Sequence, residues 1–150
     1  MKNLTVIVPV YNEEVFLEKS LQRLLSLEKD FLILIVDDCS SDNSPNIANQ
    51  YAEKYQWVTF IKKDRNGGKG SALKEAFKHV STDFAVIHDA DLEYFPDDIL
   101  SMYENIDNNS FILGSRFIGN LERKNIYLRT FIANKIMSYF FSLIFFKKVT

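Results

Sequence analysis

Apolar and polar residues alternate along the chain in blocks that predict strands and helices in turn. The segment 4–10 is a nearly continuous apolar run with several β-branched residues, which is typical of a strand buried on both faces. After it, leucines recur at helical spacing at positions 17, 21, 24 and 25. Asn12 is predicted to cap this helix, with Glu13 and Glu14 in its first turn.

The same alternation continues as far as residue 114. Further strands are predicted at 31–36, 57–61, 84–88 and 111–114. Helices are predicted in the intervals, starting with Ser44 as an N-cap and Pro45 at the first helical position, then near Gly70 and at Pro96. Repeated strand–helix units predict an α/β protein, with a mostly parallel sheet and helices on both faces.

Composition and charge exclude a few classes of protein. A length of 150 residues, of which 47% are hydrophobic and 25% charged, suits one ordinary globular domain. The net charge of −2 argues against a nucleic-acid-binding protein. A single cysteine, Cys39, cannot form an internal disulfide, so nothing requires an oxidising compartment. The first ten residues lack the long apolar stretch of a signal peptide, and Met1 is interpreted as a cytosolic start.

The C-terminal segment 126–148 has a different composition. It is rich in Phe, Ile, Leu and Tyr, with interruptions at Arg129, Asn134 and Lys135. Its uninterrupted apolar part, 136–146, is shorter than the roughly 20 residues that span a bilayer. We predict an amphipathic helix here, followed by two lysines. A helix of the core and a helix on a membrane surface both remain open.

Charged residues follow the predicted strands, at the edge where parallel sheets bind ligands. Asp89, Asp91 and Glu93 come directly after the fourth strand, and in extended backbone residues two apart point to the same side. Converging carboxylates repel each other unless a cation lies between them, and an all-oxygen set favours Mg²⁺ or Mn²⁺ together with substrate phosphates. The alternative is that Asp89 and Asp91 only cap a turn before Pro96.

A second acidic pair and a glycine-rich stretch are further candidates. One of Asp37 and Asp38 is expected to reach the cleft, and the other to cap the turn through Ser40 and Ser41, although turn chemistry alone also explains the pair. The stretch 66–70 has the sequence Asn-Gly-Gly-Lys-Gly. Either it presents backbone amides and its lysine to an anion, or it is a simple turn.

Two arginines and two histidines complete the candidates. Arg116, beside the end of the fifth predicted strand, and Arg129 are potential counter-charges for a diphosphate, because a guanidinium binds two phosphate oxygens at once. His79 and His88 lack partners at metal-ligand spacing, so we interpret both as structural.

Five motifs taken together resemble the family 2 glycosyltransferases with the GT-A fold, and among them most closely the dolichol- or polyprenyl-phosphate sugar synthases. The motifs match in order and spacing over nearly the whole chain. They are Val-Pro-Val-Tyr-Asn-Glu-Glu at 8–14, Ile-Val-Asp-Asp-Cys-Ser-Ser-Asp at 35–42, Asn-Gly-Gly-Lys-Gly at 66–70, Asp-Ala-Asp at 89–91 and Gly-Ser-Arg-Phe at 114–117.

This resemblance implies a Rossmann-like fold and a role for each candidate. The nucleotide part of the donor would contact Pro9, Tyr11, Glu13, Val36, Asp37, Asp38, Lys69 and Asp89. The metal ligands would be Asp89, Asp91 and Glu93, although relatives often have Gln at the third position. Catalysis would involve Asp91, Arg116 and Arg129, the two arginines acting on the phosphates or the acceptor.

The implied reaction is the inverting, metal-dependent transfer of a sugar from a UDP- or GDP-sugar. The resemblance implies a polyprenyl phosphate as the acceptor, and such an acceptor would need no strong general base because its oxygen is already anionic. A saccharide acceptor in cell-surface polysaccharide synthesis, or a non-catalytic nucleotide-sugar-binding module, are the alternatives. The expected location is the cytoplasmic face of a membrane. Relatives continue past the position of Thr150, so the chain is expected to be a truncated GT-A domain.

Overall fold

The computed structural model describes residues 4–27, 30–107, 112 and 128–145, which belong to two compact units. The first unit, Met1–Asn108, alternates strands with helices along the chain, as predicted. Its described elements are β1 (Leu4–Val10), α1 (Leu17–Leu25), β2 (Phe31–Asp37), α2 (Ser44–Lys54), β3 (Val58–Lys62), α3 (Lys69–Ala76), β4 (Phe84–Ile87) and α4 (Asp97–Asn105).

The four strands form one parallel sheet in the order β3-β2-β1-β4. β1 lies inside the sheet, where Val6 pairs with Ile33 of β2 on one side and with Val86 of β4 on the other. The chain first winds outward from β1 to β3 and then returns to the opposite side of β1. Such a reversal opens a crevice between the loops that follow the two adjacent strands, here β1 and β4.

Apolar clusters cover both faces of the sheet, which confirms the predicted helices on both faces. Alternate residues of a strand point to opposite faces, so Ile33 and Ile35 of β2 pack in one cluster and Leu34 and Val36 in the other. The first cluster includes Leu17 of α1 and residues of α2 and α4, and the second packs on α3. Helices therefore fix the loops that precede them at the carboxyl edge.

Two sequence predictions about element boundaries need correction. α1 begins at Leu17 and not directly after Asn12, and Asn12 does not cap it, because its side-chain oxygen accepts a hydrogen bond from the amide of Ser41 instead. A turn follows, in which the carbonyl of Glu13 accepts hydrogen bonds from the amides of Phe16 and Leu17. The third strand lies one residue later than predicted. Except for Ile112, the strand predicted at 111–114 lies outside the described residues.

The second unit, Asn109–Thr150, contains helix α5 (Leu128–Phe145). A helix thus lies within the segment 126–148, where one was predicted. Its amphipathic character stays a prediction. None of the described helices is long and apolar enough to cross a membrane. Roughly half or more of the side-chain surface is exposed at Ile132, Ile136, Met137, Tyr139, Phe140 and Leu143.

Candidate active site

The loops after β1 and β2 are bonded to each other in both directions. The amide of Asn12 donates to Ser40 Oγ at 2.9 Å, and the amide of Ser41 donates back to Asn12 Oδ1 at 2.9 Å. Asn12 lies in the left-handed region, which Asn tolerates better than most residues. We call residues 11–16 and 38–44 the interlocked loops. Asn12 joins them through both its backbone and its side chain.

Three more hydrogen bonds connect the interlocked loops. The amide of Glu13 donates to Ser44 Oγ at 2.8 Å, and that of Glu14 donates to Asp42 Oδ2 at 3.0 Å. In the other direction, the amide of Asn43 donates to Glu14 Oε2 at 2.9 Å. The prediction that Ser44 caps its own helix is therefore wrong. Its hydroxyl instead accepts a hydrogen bond from the amide of Glu13. The bonds fix the backbone that carries Tyr11 and Glu13.

Asp42 is stabilised as a carboxylate within these loops. Burial alone would raise its pKa, but hydrogen bonds from Ser44 and from the amide of Glu14 outweigh burial, so the pKa is lowered. Asp42 thus remains an anion that accepts amide hydrogen bonds at neutral pH. A deprotonated Asp42 holds both loops together.

The side chains predicted to line a nucleoside pocket differ in accessibility. Tyr11 is 50% exposed and its ring is available to a ligand. Pro9 is partly exposed and pairs in register with Val36 of β2. The Val36 side chain is fully buried in the cluster against α3. Its burial leaves no side-chain surface for a base, so a contact by Val36 stays a prediction that only its backbone could fulfil.

Asp37 and Asp38 take different roles, but both side chains are buried, so reaching the cleft stays a prediction for either of them. Asp37 Oδ2 accepts a hydrogen bond from the amide of Ser40 at 2.9 Å, which confirms that one of the two caps the turn. Its other oxygen, Oδ1, is buried and has no partner among the described residues. A buried carboxylate oxygen without a donor is costly, and a ligand that supplied an N–H group would satisfy it.

Asp38 binds the glycine-rich loop. Its carboxylate accepts hydrogen bonds from the amides of Gly67 at 3.0 Å and Gly68 at 2.6 Å, and it forms an ion pair with Lys63. Lys63 also donates to Ser71 Oγ at 2.8 Å. We call this set of five residues the Asp38 clamp. Of the two alternatives for the stretch 66–70, an anion site is excluded for the amides of Gly67 and Gly68, because an internal carboxylate occupies them.

Both glycines of the clamp are required by geometry. Gly68 has a φ of 79°, which favours glycine, and a Cβ at Gly67 would lie 2.5 Å from Ser71 Oγ. Burial would raise the pKa of Asp38, but the hydrogen bonds from Lys63, Gly67 and Gly68 hold it below its ordinary value. The clamp is therefore an internal anion site completed within the chain.

The segment after β4 is a turn and not extended backbone. Leu92 has a positive φ of 64°, and Asp91 Oδ1 accepts a hydrogen bond from the amide of Glu93 at 3.0 Å. The alternation argument that brought Asp89, Asp91 and Glu93 together was therefore wrong. Within residues 4–27, 30–107 and the described part of α5, no three acidic, His or Cys side chains are close enough to hold one ion.

The loop after β1 nevertheless brings another carboxylate to Asp89 and Asp91. Burial raises the pKa of Glu13, and the negative charges of Asp91, Asp42 and Asp89 raise it further. We call Glu13, Asp89 and Asp91 the acidic group. A cation also reaches it, since Lys69 Nζ lies 2.6 Å from Asp89 Oδ2. The carboxyl ends of β1 and β4 thus place like charges together, as expected at the crevice.

His88 and His79 have structural positions, as predicted. His88 is 3% exposed, its amide donates to the carbonyl of Ile7, and its ring lies 6.3 Å from that of Tyr94. Burial lowers the pKa of His88, with a small further contribution from Arg23, while the charges of Asp89 and Asp91 act in the opposite direction. His79 lies in the turn after α3, where its ring faces Glu75 at 3.5 Å.

Some predicted residues are not placed, and some placed residues were not predicted. Arg116 lies outside the described residues, and Arg129 falls in α5 without a described side chain, so their roles stay predictions. Lys63 and Ser71 of the Asp38 clamp were not predicted as site residues from the sequence. The available signal was that Lys63 directly follows β3, which pairs with β2, a strand that ends at Asp37. The contacts of this region with the glycine-rich loop depend on the three-dimensional structure and not on spacing in the sequence.

Comparison with protein families identifies the chain. Residues 5–149 match the model of glycosyl transferase family 2. Because the match covers nearly the whole sequence, the chain belongs to this family.

Among curated relatives, an undecaprenyl-phosphate 4-deoxy-4-formamido-L-arabinose transferase of Klebsiella pneumoniae (strain 342) is 33% identical over 120 residues. The alignment covers 77% of this chain and 37% of the relative. This chain therefore matches little more than a third of the length of that relative.

Two solved structures resemble the fold. The mannosyltransferase PcManGT from Pyrobaculum calidifontis, in complex with GDP-Man and Mn²⁺, is 32% identical with a TM-score of 0.53, covering 59% of this chain and 27% of that one. TarS from S. aureus, in complex with UDP-GlcNAc, is 28% identical with a TM-score of 0.60, covering 69% and 30%. These likenesses confirm the predicted Rossmann-like GT-A fold.

Proposed function

We propose that this domain binds a nucleoside-diphosphate sugar together with Mg²⁺ or Mn²⁺ and transfers the sugar, with inversion, to a polyprenyl phosphate. The acidic group at the carboxyl ends of β1 and β4 is the observation that carries this proposal. The charges of Asp91 and Asp89 raise the pKa of Glu13, and such a concentration of carboxylates at the crevice of a parallel sheet forms a site that a cation and a diphosphate would complete.

The residues fit a hard divalent cation. All candidate ligand atoms are carboxylate oxygens, and Mg²⁺ is usually held by one or two carboxylates plus substrate phosphates. Asp89 and Asp91 would hold the ion, whereas Glu93, the predicted third ligand, forms no three-residue site with them among the described residues. When bound, the ion supplies stabilisation of the negative charge on the leaving nucleoside diphosphate. The presence of Mn²⁺ in the PcManGT complex supports this proposal.

The nucleoside part is proposed to bind over the interlocked loops. Tyr11 offers a half-exposed ring for stacking, and Asp37 Oδ1 offers a buried acceptor without a partner among the described residues. Pro9, Glu13, Val36 and Asp38 are the other proposed contacts. Given the Asp38 clamp, the contribution of Asp38 is proposed to be indirect, through the shape of the glycine-rich loop.

In the proposed transfer, an acceptor oxygen forms a bond to the anomeric carbon from the face opposite the diphosphate. The bond between that carbon and the β-phosphate oxygen breaks, and its electron pair leaves with the nucleoside diphosphate. Arg116 and Arg129 are proposed to engage the phosphates or the acceptor. A phosphate acceptor is already anionic, which removes the need for a strong general base.

A lipid-linked acceptor is favoured by two observations. The Klebsiella relative is named as a transferase acting with undecaprenyl phosphate. In addition, α5 exposes the large apolar side chains given above, which suit a membrane surface. We therefore propose a peripheral location on the cytoplasmic face of a membrane. Flotation with vesicles of anionic lipid is expected to carry the protein into the lipid fraction, and recovery in the aqueous fraction would contradict the membrane part.

Calorimetry tests the donor and metal parts. UDP and GDP are titrated into the protein in the presence of Mn²⁺ and again after its chelation. The ion is proposed to bridge carboxylates and phosphates, so each ligand is expected to tighten the binding of the other by the same factor. Equal nucleotide affinity in both conditions would contradict metal-dependent binding.

A further inference from the structure

We propose that Lys69 is the resident counter-ion of the acidic group: a divalent cation must displace its ammonium from Asp89, and the donor diphosphate then receives it. This inference rests on the proposed function and adds an exchange of partners by one side chain. Lys69 thus acts in both states of the site. Its ammonium opposes the binding of the metal ion alone, and it then favours the binding of the nucleotide.

The first observation is the position of the ammonium. Lys69 Nζ lies 2.6 Å from Asp89 Oδ2, which is an ion-pair distance. Asp89 belongs to the group whose negative charge already disfavours ionisation of Glu13. The lysine therefore neutralises part of a charge excess that the fold itself creates. A divalent ion bound to the same carboxylate would lie within a few ångströms of the ammonium, and the two would repel each other.

The second observation is that hydrogen bonds hold the backbone next to Lys69, while the side chain is half exposed. Lys69 is the first residue of α3 and directly follows Gly67 and Gly68, whose amides Asp38 holds. On the other side, the amide of Ser71 donates to the carbonyl of Gly68 at 2.9 Å. In contrast, the Lys69 side chain is 54% exposed. A flexible four-carbon stem on a fixed base can move its charge without moving the loop.

These two observations predict a specific pattern of coupling. The ion alone must break the pair with Asp89 and leave Lys69 beside a like charge, so it is expected to bind weakly. When a diphosphate arrives with the ion, its oxygens give the ammonium a new partner. Lys69 thus raises the coupling between the two ligands, which a purely structural surface pair would not do. Removing such an exposed pair is expected to leave stability nearly unchanged.

The test uses Lys69→Gln, Lys69→Arg and, as a matched control, Lys74→Gln, which removes the same charge from an exposed position of α3. Each protein is titrated with Mn²⁺ alone, and then with UDP or GDP at saturating Mn²⁺, using the nucleotide that the wild type binds more tightly. Lys69→Gln is expected to bind Mn²⁺ alone about three- to tenfold more tightly and the nucleotide about tenfold more weakly. Lys69→Arg and Lys74→Gln are expected to bind Mn²⁺ alone as the wild type does.

The outcomes separate this inference from the proposed function. Unchanged or weaker binding of Mn²⁺ alone by Lys69→Gln overturns the counter-ion role, even if the wild type binds metal and nucleotide together. If Lys69→Arg behaves like Lys69→Gln, the charge of the side chain is not the cause, and the inference also fails. A wild-type protein that binds neither Mn²⁺ nor nucleotide overturns the proposed function, and the counter-ion role with it.

Discussion

The two sides of the candidate site are stabilised in opposite ways. On the side of β2, five hydrogen bonds between backbone amides and side chains join the interlocked loops, and the Asp38 clamp holds the glycine-rich loop. On the side of β4, a short turn carries Asp89 and Asp91 toward another carboxylate. One side is completed within the chain, and the other carries charge that a ligand would neutralise.

The pH dependence of the two sides shows this difference. The lowered pKa of Asp38 and of Asp42 means that their carboxylates stabilise the fold above the unfolded pKa, and this contribution is lost as the pH falls through the folded pKa. The pKa of Glu13 is shifted in the opposite direction, so its contribution to stability depends on pH in the opposite way. Because its folded pKa is raised, its contribution is present below the unfolded pKa and is lost as the pH rises through the folded value. At neutral pH the ionised carboxylate of Glu13 therefore costs stability, first through its burial and then through the neighbouring negative charges.

The largest expected effect is on the acidic side. Asp91→Asn keeps an oxygen for the amide of Glu93 but removes one charge from the acidic group. Metal-dependent nucleotide binding, measured by calorimetry, is expected to weaken on the order of 100-fold. The melting temperature is expected to stay the same or to rise slightly, because a carboxylate repulsion is relieved.

The control for this variant is Asp83→Asn, which makes the same charge change at an exposed residue just before β4, at the opposite end of the strand. It is expected to bind metal and nucleotide as the wild type does. If Asp91→Asn instead unfolds the protein while Asp83→Asn does not, then Asp91 is a structural residue and the two sides of the site do not differ in the way described.

The next effect is on the internally completed side. Asp38→Asn leaves Lys63 without its ion-pair partner and weakens the acceptor for the amides of Gly67 and Gly68. Since the Asp38 side chain is only 2% exposed, urea unfolding is expected to show a loss of about 2–4 kcal/mol. Asp64→Asn is the control, because it removes the same charge from an exposed residue next to Lys63. Equal effects of the two substitutions would show that the clamp contributes nothing particular.

A smaller effect is expected from His88, the buried residue directly before the acidic turn. Its folded pKa is lowered by burial, so protonation is favoured in the unfolded chain. The stability is therefore expected to fall with decreasing pH below about 6.5, with a slope of at most about 1.4 kcal/mol per pH unit. His88→Phe is expected to flatten the curve between pH 5 and 7, measured by urea unfolding, whereas His79→Gln, in the exposed turn after α3, is expected to preserve it.

The comparison also explains which parts of the site were predictable from sequence. The strands were predictable because β1 and β2 are apolar runs buried on both faces, and parallel strands place their ends at one edge. The proximity of Glu13 to Asp89 and Asp91 was not predictable. It depends on β4 lying next to β1 and on a turn that the alternation of residues in a strand does not describe. Likewise, Ser44 has the sequence of a helix cap, but the amide of Glu13 takes its hydroxyl.

The smallest expected effect concerns Asn12, which joins the interlocked loops. Both Asn12→Gly and Asn12→Ala remove the side-chain oxygen that accepts a hydrogen bond from the amide of Ser41. Only alanine is strained at a φ of 56°. The glycine variant is therefore expected to be more stable than the alanine variant by about 1 kcal/mol in urea unfolding. The same two substitutions at Asn49, an exposed residue inside α2, are the control, and there alanine is expected to be the more stable by about 1 kcal/mol. If glycine is the more stable variant at position 12 and alanine at position 49, the left-handed backbone of Asn12 is retained when its hydrogen bonds are lost. If alanine is the more stable variant at both positions, those hydrogen bonds are what hold the backbone in the left-handed region.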